Sequence, residues 1–317
     1  MASRPISTAP PRTCPAGSMS DATPLRTTYR LRIGGAFRRA ESGRTFEVRG
    51  ADGAFLANAA LASGRDVRDA VAAARTAFPA WSGASAYHRG QQLYRVAEII
   101  AEHRARFADQ VGRAAGVTAA AAFAEVDAAV DRWFWYTGWT DKIAQVRGGA
   151  NAVTGPYVNI TVPEPAGVVA VLAPQDSPLL GLVSVLAPAI AGGNTSVVVA
   201  SERYPLAALG LAEVCAAARL PDGVVNVLTG EVAEVAPWLA AHQDVNAIDL
   251  AGAPGALADD LAVAAAGTLK RVVRLPDADW TAEPGLDRMF ATLESKTVWH
   301  PVSPGLSPGP HYGLSGG

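Results

Sequence analysis

Residues 167–202 read GVVAVLAPQDSPLLGLVSVLAPAIAGGNTSVVVASE. A β-rich run from Val168 to Leu172 leads through a polar loop into an apolar stretch, Leu179 to Ala191, long enough for a helix. A Gly193-Asn194 turn then opens a second β-rich run, Ser196 to Val199. Strand, helix and strand in that order make one crossover unit, and the pattern repeats downstream. Val224 to Leu228, Val245 to Leu250 and Arg271 to Leu275 read as further strands. Leu206 to Ala218, Val232 to Ala241 and Ala256 to Ala266 read as the helices between them, with Pro221-Asp222-Gly223 as a compact turn. The alternation predicts a doubly wound, Rossmann-like α/β domain around a parallel sheet. No repeat with a period of about 20 to 50 residues supports a solenoid.

Toward the N-terminus, Tyr29 to Ile33 and Thr45 to Val48 read as short strands separated by Gly34-Gly35. Val67, Ala70, Val71, Ala74, Ala77 and Phe78 recur at helical spacing behind Asp66, taken as the N-cap. Leu93, Val96, Ala97, Ile100, Phe107 and Val111 form the apolar stripe of a second helix, with Arg95, Glu98, Glu102 and Arg106 on its other side. A third helix begins at Thr118 and carries Val126, Val130, Trp133 and Phe134 into an aromatic group with Trp135, Tyr136 and Trp139. Packing accounts for that group, and no ligand is assigned to it. Residues 148–165 change character: Val153, Tyr157, Val158, Ile160 and Val162, interrupted by Gly155-Pro156, predict a hairpin.

Half of the 317 residues are hydrophobic and 18% are charged, enough for a sizeable core. A net charge of -2 with scattered basic residues carries no footprint for nucleic acid. No apolar run reaches the length of a membrane span. Two cysteines, Cys14 and Cys215, provide neither a disulfide framework nor a zinc site and fit a cytoplasmic protein. His88, His103, His242, His300 and His311 show no paired ligand spacing. The Pro/Ser/Thr-rich residues 1–28 read as a flexible leader, with Met1 and Met19 both candidate starts, and 301–317 as a flexible tail.

Several motifs occur together in order: Ile33-Gly34-Gly35, Ser42-Gly43-Arg44-Thr45-Phe46, Ala70-Val71 to Phe78 with Trp81, Pro165-Ala166-Gly167-Val168-Val169, Ala187-Pro188-Ala189 to Gly193-Asn194-Thr195, Ser201-Glu202, and Leu220-Pro221-Asp222-Gly223-Val224-Val225-Asn226-Val227 to Gly230. Over about Tyr29 to Arg274 the chain thereby resembles the aldehyde dehydrogenases. The resemblance implies a cofactor domain over 29–147 and 166–275. It also implies an oligomerisation element made of the 148–165 hairpin and a C-terminal strand over 290–300. After Leu275 the resemblance implies that the family's catalytic domain is missing, with Asp277 and Asp279 in a loop remnant.

The same resemblance implies a loss of chemistry. The family attacks its substrate with a cysteine thiolate, yet no cysteine follows Cys215, which sits in a helical apolar pattern. The family's oxyanion-stabilising asparagine falls where Pro174-Gln175-Asp176-Ser177-Pro178 stands. An ionised Asp176 would repel an oxyanion, and losing such a donor costs about 2.7–4 kcal/mol. The general-base glutamate is replaced by Arg274-Leu275-Pro276. For the cofactor, Glu202 matches the acidic residue that holds the adenosine ribose. Val199 stands where the family has lysine, removing a charged hydrogen bond worth about 1.5–3 kcal/mol. Ala253 replaces a phosphate-contacting serine, while helix N-terminal amides near Gly252 remain able to attract an anion.

The expectation from sequence is therefore a truncated pseudoenzyme resembling the second unit of two-unit aldehyde dehydrogenases. It has no catalytic residues and no intrinsic activity. NAD or NADP binding is weakened to Glu202 and Gly252, so that no cofactor is assured. It serves as a structural or regulatory subunit in a hetero-oligomer with a full-length aldehyde dehydrogenase, or self-associates. The competing expectation is an NAD(P)-dependent oxidoreductase acting on aldehydes, with catalytic groups supplied by a partner.

Overall fold

The computed structural model describes residues 27–275 and 279–302. Most of the leader, Cys14, Asp277, His311 and nearly all of the tail lie outside the described residues. Short strands β1 (Thr28–Tyr29), β2 (Leu31–Ile33), β3 (Ala36–Arg38), β4 (Thr45–Arg49) and β5 (Phe55–Ala60) precede a helical block. That block comprises α1 (Gly64–Gly83), α2 (Ala86–Glu102), α3 (Arg104–Ala115), α4 (Ala119–Thr137) and α5 (Ile143–Arg147). Thr28, at the end of the expected leader, already belongs to β1. The start of α1 also differs from expectation. Ser63 is the N-cap and Asp66 the third helical residue, and the two make a reciprocal capping box. Asp66 is buried, and its carboxylate also accepts the Glu41 N–H at 3.1 Å.

Strands β6 (Gly149–Asn151) and β7 (Tyr157–Pro165) follow, and then the alternating region begins. It runs β8 (Val168–Leu172), α6 (Leu180–Ala191), β9 (Thr195–Val199), α7 (Pro205–Ala217), β10 (Val225–Leu228), α8 (Val232–Ala241), β11 (Ala247–Asp249), α9 (Gly255–Ala266) and β12 (Arg271–Val273). The chain ends its described course with α10 (Asp287–Ala291) and β13 (Leu293–Pro301). β13 pairs antiparallel with β7 from Leu293↔Pro165 to Pro301↔Tyr157, in a three-stranded sheet with β6.

The central sheet has the order β12-β11-β8-β9-β10-β2-β3. Its first five strands are parallel, and β2 joins antiparallel to β10, carrying β3 at the edge. Every residue of β8, β9 and β10 is buried, because helices cover both faces. On one face Val67, Ala70 and Val71 of α1 pack with Val232 and Leu239 of α8 and Leu261 of α9. On the other, α6 and α7 lie against the sheet and are covered in turn by α2, α3 and α4. Trp133 of α4 is fully buried there, its indole N–H donating to the Leu93 carbonyl at 2.9 Å. Among the described residues no helix is long and apolar enough to cross a membrane.

The expectation that only a remnant follows the sheet is corrected by residues 279–301. Arg132 of α4 donates to the carbonyls of Trp280 and Ala282 at 2.9 and 2.7 Å, and the Tyr136 hydroxyl donates to the Gly285 carbonyl. Arg288 pairs with Asp249, and both side chains are almost wholly buried. This segment is packed as part of the fold, at the ends of the parallel strands.

Candidate functional site

Chain order places β8 in the middle of the parallel strands, with β9 and β10 built to one side and β11 and β12 to the other. Sheets of this kind hold ligands outside the carboxyl ends of the strands where the order reverses. A cavity of about 760 Å³ lies there. The loops after β8, β9, β11 and β12 build it, through Gln175 and Asp176, Glu202 and Arg203, Ala251 and Gly252, and Arg274.

Both sequence-predicted cofactor residues line this cavity. Glu202 accepts the N–H of Val232, the first residue of α8, at 2.6 Å, so its carboxylate sits at the positive end of that helix. The Gln175 amide oxygen fixes the loop by accepting the Glu202 N–H at 3.0 Å and the Ser201 hydroxyl at 2.9 Å. Gly252 lies so close to the β8 loop that an added Cβ would fall 2.1 Å from the Ala173 carbonyl oxygen. Just beyond it α9 starts behind Pro254 with no side-chain cap, leaving first-turn amides to meet an anion. Such a cradle fits a pyrophosphate, because it is made of backbone and tolerates the change to Ala253. Val199, at the lost lysine's position, is fully buried in β9. Arg203, Arg274 and Arg288 bring cationic groups to the cavity wall instead.

Sequence reading missed Arg288 and Trp280. The Trp280 indole N–H donates to the Asp176 carboxylate at 3.0 Å, and the Arg288 guanidinium lies 5.6 Å from the Trp280 ring centre. Burial pushes the Asp249 carboxyl above the usual carboxylate range, an effect that Arg288 opposes. The carboxyl-end rule for parallel sheets was the available signal for Gln175. No sequence signal placed Trp280 or Arg288 beside residues more than 35 positions away.

Other chemistry-bearing residues stand apart from this cavity. Cys215 is fully buried in α7, and burial pushes its thiol up to about 11. Asp279 accepts the Thr281 N–H and hydroxyl, capping a turn, and these bonds hold its carboxyl below the usual range. His88 bonds Gln92, and His103 meets the Ile99 carbonyl. Among the described residues no group of three or more His, Cys, Asp or Glu could hold a metal ion.

The aldehyde dehydrogenase family model matches residues 37–275. Cytosolic 10-formyltetrahydrofolate dehydrogenase of Pongo abelii is 36% identical over 234 residues, 72% of this chain and 26% of that protein. A NAD-dependent aldehyde dehydrogenase from Sinorhizobium meliloti superposes with a TM-score of 0.73 at 28% identity, covering 78% of this chain and 50% of its own. A point variant of betaine aldehyde dehydrogenase from Staphylococcus aureus, in complex with NAD+, superposes with a TM-score of 0.72 at 25% identity, covering 77% and 49%. The chain thus spans about half the length of these solved structures and about a quarter of that curated relative.

These findings correct the sequence-based picture of a non-catalytic unit. The proteins that share this fold over three quarters of the chain are dehydrogenases, and one of them holds NAD+. The expectation of a pseudoenzyme without activity rested on the extent of the chain and on substituted motif residues. The Rossmann-type region those motifs belong to is complete, from β8 through β12. The expectation of a weakened cofactor site counted side chains, whereas the cradle is built largely from backbone. The expected hetero-oligomer rested on reading this chain as the non-catalytic partner, a role that its own likeness to dehydrogenases does not support.

Proposed function

Because the chain belongs to the aldehyde dehydrogenase family, we propose that it binds NAD or NADP and serves as an NAD(P)-dependent oxidoreductase acting on aldehydes. The observation that carries the reading is the cavity at the carboxyl ends of β8, β9, β11 and β12, with Glu202 and Gly252 on its wall. Gly252 and the uncapped start of α9 would receive the pyrophosphate, and Glu202, anchored on α8, would accept hydrogen bonds from a ribose. When bound, the nicotinamide supplies the hydride acceptor. No described residue is assigned the nucleophile's role, since Cys215 is buried in α7 as a neutral thiol. Likeness to a cytosolic enzyme supports a cytoplasmic location, and the β6-β7-β13 sheet is proposed as a self-association element.

The test is titration of the purified chain with NADH and NADPH, followed by a search for aldehyde-dependent formation of reduced nicotinamide. Saturable binding that weakens in Glu202→Ala is expected, together with turnover of at least one aldehyde. Failure to bind either dinucleotide refutes the cofactor assignment. Binding without turnover of any aldehyde refutes the catalytic half alone.

A further inference from the structure

Side chains along β2 alternate between the two faces of the sheet. Leu31 and Ile33 enter the apolar layer under α1, so Arg32 between them faces the other side, where α7 packs against β2. Its side chain is 1% exposed, yet Nε and Nη1 have no hydrogen-bond partner, and it makes no ion pair among the described residues. A buried charge left uncompensated is strongly destabilising, so this guanidinium calls for an anionic partner. Cys215 lies beside it and hydrogen-bonds the guanidinium, but burial pushes that thiol up to about 11, so it brings no compensating negative charge. The arginine instead lines a cavity of about 440 Å³ whose wall also includes Gly35, Arg219 and Asp222. Arg219 follows the end of α7 in a left-handed conformation, φ 56°, and is exposed. Asp222 is held against Gly35, where an added Cβ would lie 1.9 Å from its carboxylate oxygen.

We propose that this cavity binds a small tetrahedral oxyanion, inorganic phosphate or the phosphate end of a small phosphomonoester, between Arg32 and Arg219. A guanidinium offers a planar fork of donors that matches a phosphate, and two arginines outweigh the single Asp222 carboxylate. The cavity shares no lining residue with the dinucleotide cavity, so the proposal stands independently of the cofactor assignment.

The test follows the thermal midpoint of the full chain at constant ionic strength in inorganic phosphate, glycerol phosphate or acetate. The parent, Arg32→Met and Arg219→Gln are compared. In the parent, phosphate at about tenfold above its Kd raises Tm by roughly 2 °C and the rise saturates. Arg32→Met loses the rise, melts no lower than the parent in phosphate-free buffer, and titrates NADH like the parent. Arg219→Gln weakens phosphate binding several-fold and carries the test if Arg32→Met does not fold. A response to glycerol phosphate at lower concentration than to inorganic phosphate identifies the organic source, and the converse identifies the free ion. An unchanged rise in both variants, an equal response to acetate, or no response in the parent overturns the proposal.

Discussion

Breaking the Asp249–Arg288 pair tests whether residues 279–301 are part of the site. The two side chains are 3% and 8% exposed, and Asp249 also accepts the Ala251 N–H at 3.0 Å. Arg288→Met strands a buried carboxylate, and Asp249→Val strands a buried guanidinium. Removing one member of a buried pair costs about 3–5 kcal/mol. That corresponds to a fall in Tm of roughly 4–8 °C for a chain of 317 residues. Independent losses would sum to about 6–10 kcal/mol in the double variant. Removing both charges together leaves chiefly the Ala251 N–H without its acceptor, a loss of about 1–3 kcal/mol. Burial raises the Asp249 carboxyl despite the arginine beside it, which agrees with a pair that adds little net stability while punishing its own disruption. Urea unfolding of the four proteins gives the coupling directly. Single variants within about 1 kcal/mol of the parent, or a double variant that loses the full sum, would refute the reasoning.

Gly252→Ala forces a methyl against the Ala173 carbonyl oxygen, so it should cost about 1–3 kcal/mol and weaken NADH binding; melting and dinucleotide titration check both, and an unchanged Tm would mean that the loop yields freely. Burial holds the His242 imidazole below its ordinary value of 6.5, and its Nδ1 accepts the Asp244 N–H. The folded state therefore takes up this proton less readily than the unfolded chain. The stability tied to neutral His242 is present above pH 6.5 and lost as pH falls through the lower folded value. His242→Gln should flatten that part of the stability profile measured by denaturant unfolding, whereas an unaltered slope would count against it. Cys215 should not react with a thiol reagent in a Cys14→Ser background until denaturant is added, because its sulfur is buried and protonated; rapid native-state labelling would contradict this.

Elements whose signal is local were legible. The strand run Val168 to Leu172 coincides with β8, and Val232 to Ala241 with α8, because strand and helix periods and turn residues are written in consecutive positions. Caps fared less well: Asp66 was taken as the N-cap of α1, three residues late, since a capping box offers two plausible acceptors and only the backbone turn distinguishes them. The antiparallel addition of β2 to β10 rests on a pairing as slight as Val227↔Arg32, which no periodicity announces. Glu125 is another case: its carboxylate receives the N–H groups of Leu179 and Leu180 at the start of α6, more than 50 residues away.

For the site, the sequence by itself determined the parallel sheet, its turns, and the arrival of Glu202 and Gly252 at strand ends, because each depends on short-range pattern. Tertiary structure decided what stands around them. It brought Trp280 and Arg288 to the cavity wall beside Arg203 and Arg274, and left Nε and Nη1 of the buried Arg32 without a hydrogen-bond partner. Whether a charge is paired, exposed or stranded depends on which distant segments meet it and how much water they exclude, and that information exists only once the chain has closed on itself.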